Sequence, residues 1–134
     1  MARIHPDVFD NGLSEFTESD TFKIHLVSAD PGDLTAGSNA TAYTSATSTN
    51  TLGNATVTFT LADDDNDGRK VTSTAINDAS VTATGTAIAY AIANTTDSKI
   101  LAVGDLTNQS LTSGNTFDLA AVTITLPFTA ASLT

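Results

Sequence analysis

The chain has 134 residues, and 15 acidic against 5 basic side chains give it a formal net charge of -10. Such a charge opposes binding to nucleic acid or to an anionic membrane, so neither is an expected partner. The chain contains no cysteine, which excludes disulfide bonds, thiolate metal sites and cysteine redox chemistry. Charged residues make up only 15% of the chain, a proportion more typical of structural β-proteins than of cytosolic enzymes.

The length predicts a single β domain over residues 1–134. Within it we expect an N-terminal arm or helix in 1–20, a long polar loop in 35–54 and the main strand region in 55–128. The start of the chain has no apolar run of the length that a signal peptide or membrane span requires. We therefore expect a soluble, unprocessed protein.

The N-terminal segment predicts a short helix from about Asp7 to Thr17, because Pro6 suits a first helical turn and apolar residues recur at helical spacing. The apolar face of this helix consists of Val8, Phe9, Leu13 and Phe16. Two interpretations of the face remain open, which are packing in the core of the domain and contact with a partner.

A strand is predicted next, in TFKIHLVS, where Phe22, Ile24 and Leu26 alternate with Lys23 and His25. The alternation places His25 on the outer face of a half-buried strand. The polar residues of 35–54 that follow predict a long loop, with a short helix possible near Tyr43. Loops of this length are usually functional or mobile, so this one is a candidate contact surface.

From residue 55 onward strand patterns dominate. ATVTFTLA (55–62) and RKVTSTAI (69–76) predict a β-hairpin across the acidic turn between them. SVTATGTAIAYAIAN predicts a further strand with a bulge or bend at Gly85, and KILAVGDL predicts another. In TFDLAAVTITLPF the apolar residues change face at Ala120 and Ala121, for which we predict a bulge. The pattern indicates a mainly β fold, an antiparallel β-sandwich, jelly-roll-like domain or small barrel with one short N-terminal helix.

The acidic stretch LADDDNDGRKVT (61–72) resembles the first half of a calcium loop, since Asp63, Asp65, Asp67 and Gly68 follow its spacing. The second half is missing, because Thr74 stands where a bidentate glutamate should complete the shell, and the flanks predict strands.

A hairpin turn explains the same residues more simply, since Asp67 and Gly68 form a common turn pair. Arg69 and Lys70 would then partly neutralise the acids. We favour the turn and predict no metal-binding residue, although the sequence leaves open whether the three aspartates hold Ca2+.

Catalytic signatures are absent from the sequence. His5 and His25 are the two histidines, and neither belongs to a motif that pairs a nucleophile with a base or a metal with its ligands. Glu15 and Glu18 lie near the end of the predicted helix and are interpreted as a solvated helix end. We therefore predict no enzyme activity, no catalytic residue and no cofactor.

Four segments carry a resemblance: DGRKVT (67–72), VTATGTA (81–87), NTTDSKILAVG (94–104) and TFDLAAVTITLP (116–127). In their residues and their order, these segments resemble small virion structural proteins of tailed bacteriophages. The resemblance covers roughly the C-terminal half of the chain and is weaker in VFDNGL and FKIHLVSADP near the start. It contains no catalytic motif, and it transfers no functional residue.

The resemblance implies a virion structural protein, foremost a decoration or cement protein that stabilises the head by bridging major capsid subunits. Its implied partners are the major capsid protein or other virion proteins and further copies of itself, with a trimer favoured. Its implied location is the outer surface of the head, after synthesis in the host cytoplasm. The alternatives are a neck, tail or fibre-adaptor component, or a stand-alone carbohydrate- or receptor-binding β-sandwich. The apolar helix face and the 35–54 loop are the predicted contact surfaces.

Overall fold

The computed structural model describes residues 3–5, 8, 12–34, 39–63 and 68–126. The strands in these ranges are β1 (Arg3–Ile4), β2 (Phe22–Val27), β3 (Thr51–Val57), β4 (Phe59–Asp63), β5 (Arg69–Ser73), β6 (Ile76–Ser80), β7 (Gly85–Asn94), β8 (Lys99–Leu111), β9 (Thr116–Leu119) and β10 (Thr123–Leu126). The helical elements are a 3-10 helix (Gly12–Phe16), α1 (Ala40–Thr44) and a π-helix (Ser45–Thr49).

The strands form three sheets, and their pairings are antiparallel. The largest sheet has five strands in the order β1-β8-β7-β2-β3, the second has the order β10-β5-β4, and the third pairs β6 with β9. The mainly β, antiparallel fold class predicted from the sequence is therefore confirmed. Its layered arrangement is compatible with a sandwich.

One apolar core joins a face of the five-stranded sheet to both smaller sheets and to the 3-10 helix. Phe59 on β4 contributes an aromatic centre, because its ring centroid lies 5.1 Å from that of Phe16 and 5.9 Å from that of Phe22. We call this cluster the sandwich core. Its other large buried side chains include Ile24, Leu26, Leu52, Val57, Val71, Ile76, Ile92, Leu101, Leu111 and Phe117.

The opposite face of the five-stranded sheet is covered by residues 39–50, which we call the helical layer. Ala42 and Ala46 of this layer are buried against small side chains of the sheet. The sheet side of this second cluster is made of Val27, Ala89, Ala91, Ala93, Ile100 and Val103. Alanine lines both sides, so helix and sheet approach closely while burying little apolar area per residue.

The helical layer corrects the prediction of a long loop over 35–54. Residues 40–44 form the short helix anticipated near Tyr43, the π-helix extends the helical backbone to Thr49, and β3 already begins at Thr51. Residues 35–38 lie outside the described part of the chain. A strand that begins with Thr-Leu-Gly-Asn shows no clear alternation, which explains why sequence patterns missed its first residues.

The N-terminal segment matches its prediction in part, because Val8 is helical and the chain is helical again in 12–16. A 3-10 helix occupies Gly12–Phe16, and most of 7–11 lies outside the described residues. Val8, Leu13 and Phe16 are buried in the sandwich core, and Phe9 lies outside the described residues. The described part of this apolar face therefore packs in the core and does not form an exposed contact arm.

The predicted β-hairpin is confirmed by the pairing of β4 with β5, in which Asp63 lies opposite Arg69. The sequence did not reveal that ATVTFTLA is split between two sheets. Val57 ends β3 in the five-stranded sheet, Thr58 links the strands, and Phe59 starts β4 in the second sheet. Alternation continues across the link, so the residue pattern alone reads as one strand.

The bulge predicted at Ala120 and Ala121 is replaced by another feature, while the bulge or bend predicted at Gly85 corresponds to a bend at Ala83 just before the strand. Ala120 and Ala121 lie in the link by which the chain leaves β9 and enters β10 of a different sheet. In β7 the register shifts between Ala87 and Ala89, two residues beyond the predicted bend at Gly85, where the strand starts. A change of sheet alters the inward face as a bulge does, so parity cannot distinguish the two.

Candidate functional site

The acidic turn was the first candidate from the sequence. Asp63 is exposed at the end of β4 and forms an ion pair with Arg69 across the hairpin, as the predicted neutralisation required. Asp65 and Asp67 lie outside the described residues. The ion pair and the flanking strands agree with a hairpin turn.

His25 is not on an outer face as the sequence predicted, because it is only 4% exposed. It shares the face of β2 that the helical layer covers, opposite Ala91 of β7. Its Nδ1 lies 3.0 Å from Thr51 Oγ1, and its Nε2 has no hydrogen-bond partner among the described residues. Burial, and to a smaller extent the charge of Lys23, lowers the pKa of His25 to about 4.

Glu15 is also not part of a solvated helix end. It is 3% exposed at the end of the 3-10 helix, and its Oε1 lies 3.5 Å from the Nζ of Lys99 on β8. A buried carboxylate is expensive unless it is paired, and Lys99 offers a positive charge at this position. The pair links the N-terminal segment to the start of β8.

Glu18, Asp20 and Asp97 form a cluster of carboxylates at the surface beside this pair. One carboxylate oxygen from each residue lies within 4.8 Å of the others. The pKa of Glu18 is raised, mainly by the charge of Glu15, then by burial and by the charges of Asp20 and Asp97. Like charges held this close favour the protonated form of one member of the group.

Asn94 forms hydrogen bonds with two of the three carboxylates, those of Asp20 and Asp97. Asn94 is fully buried at the end of β7, and its Nδ2 donates to Oδ2 of Asp20 at 2.9 Å and to Oδ2 of Asp97 at 3.3 Å. Its Oδ1 accepts the backbone N–H groups of Thr96 and Asp97, both at 3.0 Å. One amide therefore shapes the turn between β7 and β8 and holds two acids near each other.

Three convergent carboxylates are the kind of donor set that a hard cation such as Ca2+ prefers. Within the described ranges this is the one group of three or more such side chains close enough to share an ion. Exposed acidic groups of this kind also occur without a metal, and we assign no metal site here. Sequence analysis missed the cluster because Asp97 is distant in the chain from Glu18 and Asp20, and no motif spans the gap.

A groove with a volume of about 450 Å3 opens between the β1–β8 edge and β10. Tyr90 lies in it over Gly104, where any larger residue would collide with the phenol ring. At its margin Arg3 pairs with Asp30 and donates to the Gly32 carbonyl at 2.8 Å, and the hydrogen bond from Arg3 lowers the pKa of Asp30.

Comparison with known proteins returned no matching family model, no matching curated protein and no matching solved structure. In the described part of the chain, every helix is too short to cross a membrane.

Proposed function

We propose that this protein is a structural component of a bacteriophage particle, foremost a decoration or cement protein on the outer surface of the head. The proposal starts from the resemblance of four sequence segments to small phage virion proteins. In the fold these segments supply β5, the start of β7, the turn into β8, and β9 with β10. The likeness therefore covers parts of β5, β7, β8, β9 and β10 and is not limited to one local motif.

The observation that carries the proposal furthest is the charge distribution. From Leu34 to Ala62 the sequence has no charged side chain, although the chain as a whole carries a net charge of -10. The helical layer lies within this stretch and exposes Thr41, Thr44, Ser48 and Thr49. An uncharged surface costs less to dehydrate than a charged one, which suits it to contact with another protein.

A cement protein acts by binding the assembled shell more tightly than its separated subunits. Its binding free energy then adds to the free energy needed to open the shell. Many copies on a symmetric lattice reinforce each other, because a subunit held by several neighbours is not released when one contact breaks. No chemical step is needed, in keeping with the non-enzymatic role predicted from the sequence.

Copy number in purified particles of the encoding phage tests the function. Quantitative mass spectrometry should find a number comparable with that of the major capsid protein, and an electron density map should place the copies on the outer head surface. A number that corresponds to a single ring would favour the neck, tail or fibre-adaptor alternative. Absence from the particle would refute both forms of the proposal.

A pair of substitutions tests the helical layer as the contact surface. Thr41→Lys introduces a charge on the exposed side of α1, and we expect it to weaken attachment to heads that lack the protein. Thr60→Lys is the matched control, because Thr60 is exposed on β4 in a sheet on the other side of the five-stranded sheet. If the Thr60 variant loses attachment and the Thr41 variant keeps it, the helical layer is not the contact surface. The proposal of a decoration or cement protein is unaffected by that result.

A further inference from the structure

The helical layer is attached to the five-stranded sheet by few contacts. Asn39 donates through Nδ2 to the carbonyl of Ile100 at 3.2 Å and accepts the Ile100 N–H through Oδ1 at 2.9 Å. At the other end of the layer the Ser28 N–H donates to the carbonyl of Asn50 at 3.0 Å. Between these ends the packing consists of Ala42 and Ala46, whose side chains bury little area, and of the partly buried ring of Tyr43.

His25 lies under this thin layer, with one imidazole nitrogen bonded to Thr51 and the other, Nε2, without a partner among the described residues. A neutral imidazole can leave one nitrogen unprotonated and unbonded at moderate cost. Protonation places a hydrogen and a full positive charge at the same buried position, where a charge without a counter-ion is far more costly.

Among the described residues, the strands next to His25 and the helical layer supply no counter-ion; Asp30 and Asp105 line a cavity with Ala89 and Val103 farther along the same face. Its own strand contributes Lys23, which has the same charge sign as a protonated imidazole. The facing residues of β7 are alanines, and β3 contains no acidic residue. The helical layer has no acidic residue either, and its one titratable side chain is the phenol of Tyr43, which is uncharged in acid.

We propose that the helical layer is an acid-released cover: protonation of His25 at Nε2 by a proton from solvent detaches residues 39–50 from the sheet while the sandwich core stays folded. Opening gives the imidazolium access to water and exposes the alanines of β7 together with Ile100 and Val103 of β8. This inference does not depend on the virion function, because it follows from the contacts of the layer alone.

Thiol labelling can test the release, because the chain has no cysteine of its own. Ala46→Cys places a thiol in the buried side of the layer, and Ala87→Cys places the same side chain in the sandwich core; both alanines are fully buried. Labelling by a dithiodipyridine reagent is measured from pH 7 to pH 4 for each variant. Division by the labelling rate of the same variant in denaturant removes the effect of pH on the reagent and the thiol.

We expect the protection of the Ala46→Cys thiol to fall roughly 20-fold between pH 7 and pH 5, given a His25 pKa of about 4 when covered and 6.5 when open. The Ala87→Cys thiol should remain much better protected at every pH, since it is exposed only when the core unfolds. Adding His25→Asn to Ala46→Cys should remove most of the pH dependence, because an amide does not titrate.

Three results would overturn the proposal. These are pH-independent protection at position 46, equal protection at positions 46 and 87 in acid, and an unchanged acid response in the His25→Asn background. If His25→Asn does not fold, hydrogen exchange on the unaltered protein gives an independent answer. Backbone amides of residues 40–49 should then exchange faster as the His25 ring titrates, while amides of β2 stay protected; exchange that is equally slow in both would refute the cover.

Discussion

The two faces of the five-stranded sheet carry side chains of different size. One face contributes to the sandwich core, where phenylalanine, isoleucine, leucine and valine interlock with two further sheets. The other face contacts the helical layer through alanine, with Ile100, Val27 and Val103 as its larger members. Because apolar stabilisation scales with buried area, the first face carries most of the stability and the second is held by a few specific contacts. We therefore expect the helical layer to leave its face of the sheet more easily than the two smaller sheets leave theirs.

The largest expected effect comes from the sandwich core. Phe16→Ala removes a fully buried ring from the aromatic centre formed with Phe59, and we expect it to lower the free energy of unfolding by about 3–5 kcal/mol in urea titrations. Tyr43→Ala is the matched aromatic truncation in the helical layer, where the ring is only partly buried, and it should cost clearly less. Equal losses would show that the two faces contribute alike.

The acid response of His25 should be next in size. Its pKa is lowered to about 4 in the folded protein against an ordinary 6.5, so the unfolded chain takes up the proton first as the pH falls. Stability from this residue is therefore complete above pH 6.5 and declines by up to about 3 kcal/mol as the pH approaches 4, and by less once the opened layer lets the folded chain take up the proton. Unfolding free energies of the parent and His25→Asn, measured from pH 7 to pH 4, should converge by up to this amount, whereas parallel curves would contradict the assignment.

A substitution at Asn39 tests one attachment point of the helical layer, its pair of hydrogen bonds with the backbone of Ile100. Asn39→Ala leaves the N–H and carbonyl of Ile100 without their side-chain partner in a buried place, at a cost of about 1–3 kcal/mol. Asn39→Asp keeps an acceptor but places a buried carboxylate against the Ile100 carbonyl, so we expect it to cost at least as much. Hydrogen exchange should show the effect concentrated in residues 40–49, and an effect spread evenly over β4 and β5 would argue against a separate layer.

The smallest effect is expected at the hairpin end, which belongs to neither face. Asp63→Asn removes the exposed ion pair with Arg69 and should change the free energy of unfolding by about 0–1 kcal/mol, with less effect at high salt. Melting temperatures of the parent with calcium and with a chelator should coincide. A melting temperature that rises with calcium in the parent and not in the variant would instead identify a metal site at this turn.

The sequence predicted the face with large side chains well and the face with small side chains poorly. Alternating residues such as Val57 and Phe59 correctly indicated strands and inward faces, because aliphatic and aromatic side chains at a period of two carry a strong signal. Ala42 and Ala46 carry almost none, so a buried layer rich in threonine and serine was predicted as a loop. The error at His25 follows from that one, since a strand with an uncovered polar face should expose its histidine.

Contacts between distant parts of the chain account for the remaining differences. The pairing of Glu15 with Lys99 and the approach of Asp97 to Glu18 depend on how the β7–β8 turn meets the N-terminal segment. Nothing in the local sequence around either partner encodes that approach. Similarly, strand parity continues through Thr58 although the chain changes sheets there, since parity reports which way a side chain points and not which neighbours it meets.

The passage at Thr58 also has a mechanical consequence. The two sheets that it joins are connected by one residue with no slack, so a pulling force applied to β3 reaches β4 directly through the covalent backbone. A shear force on the five-stranded sheet would then act on the β10-β5-β4 sheet as well, because no connecting loop can stretch between them.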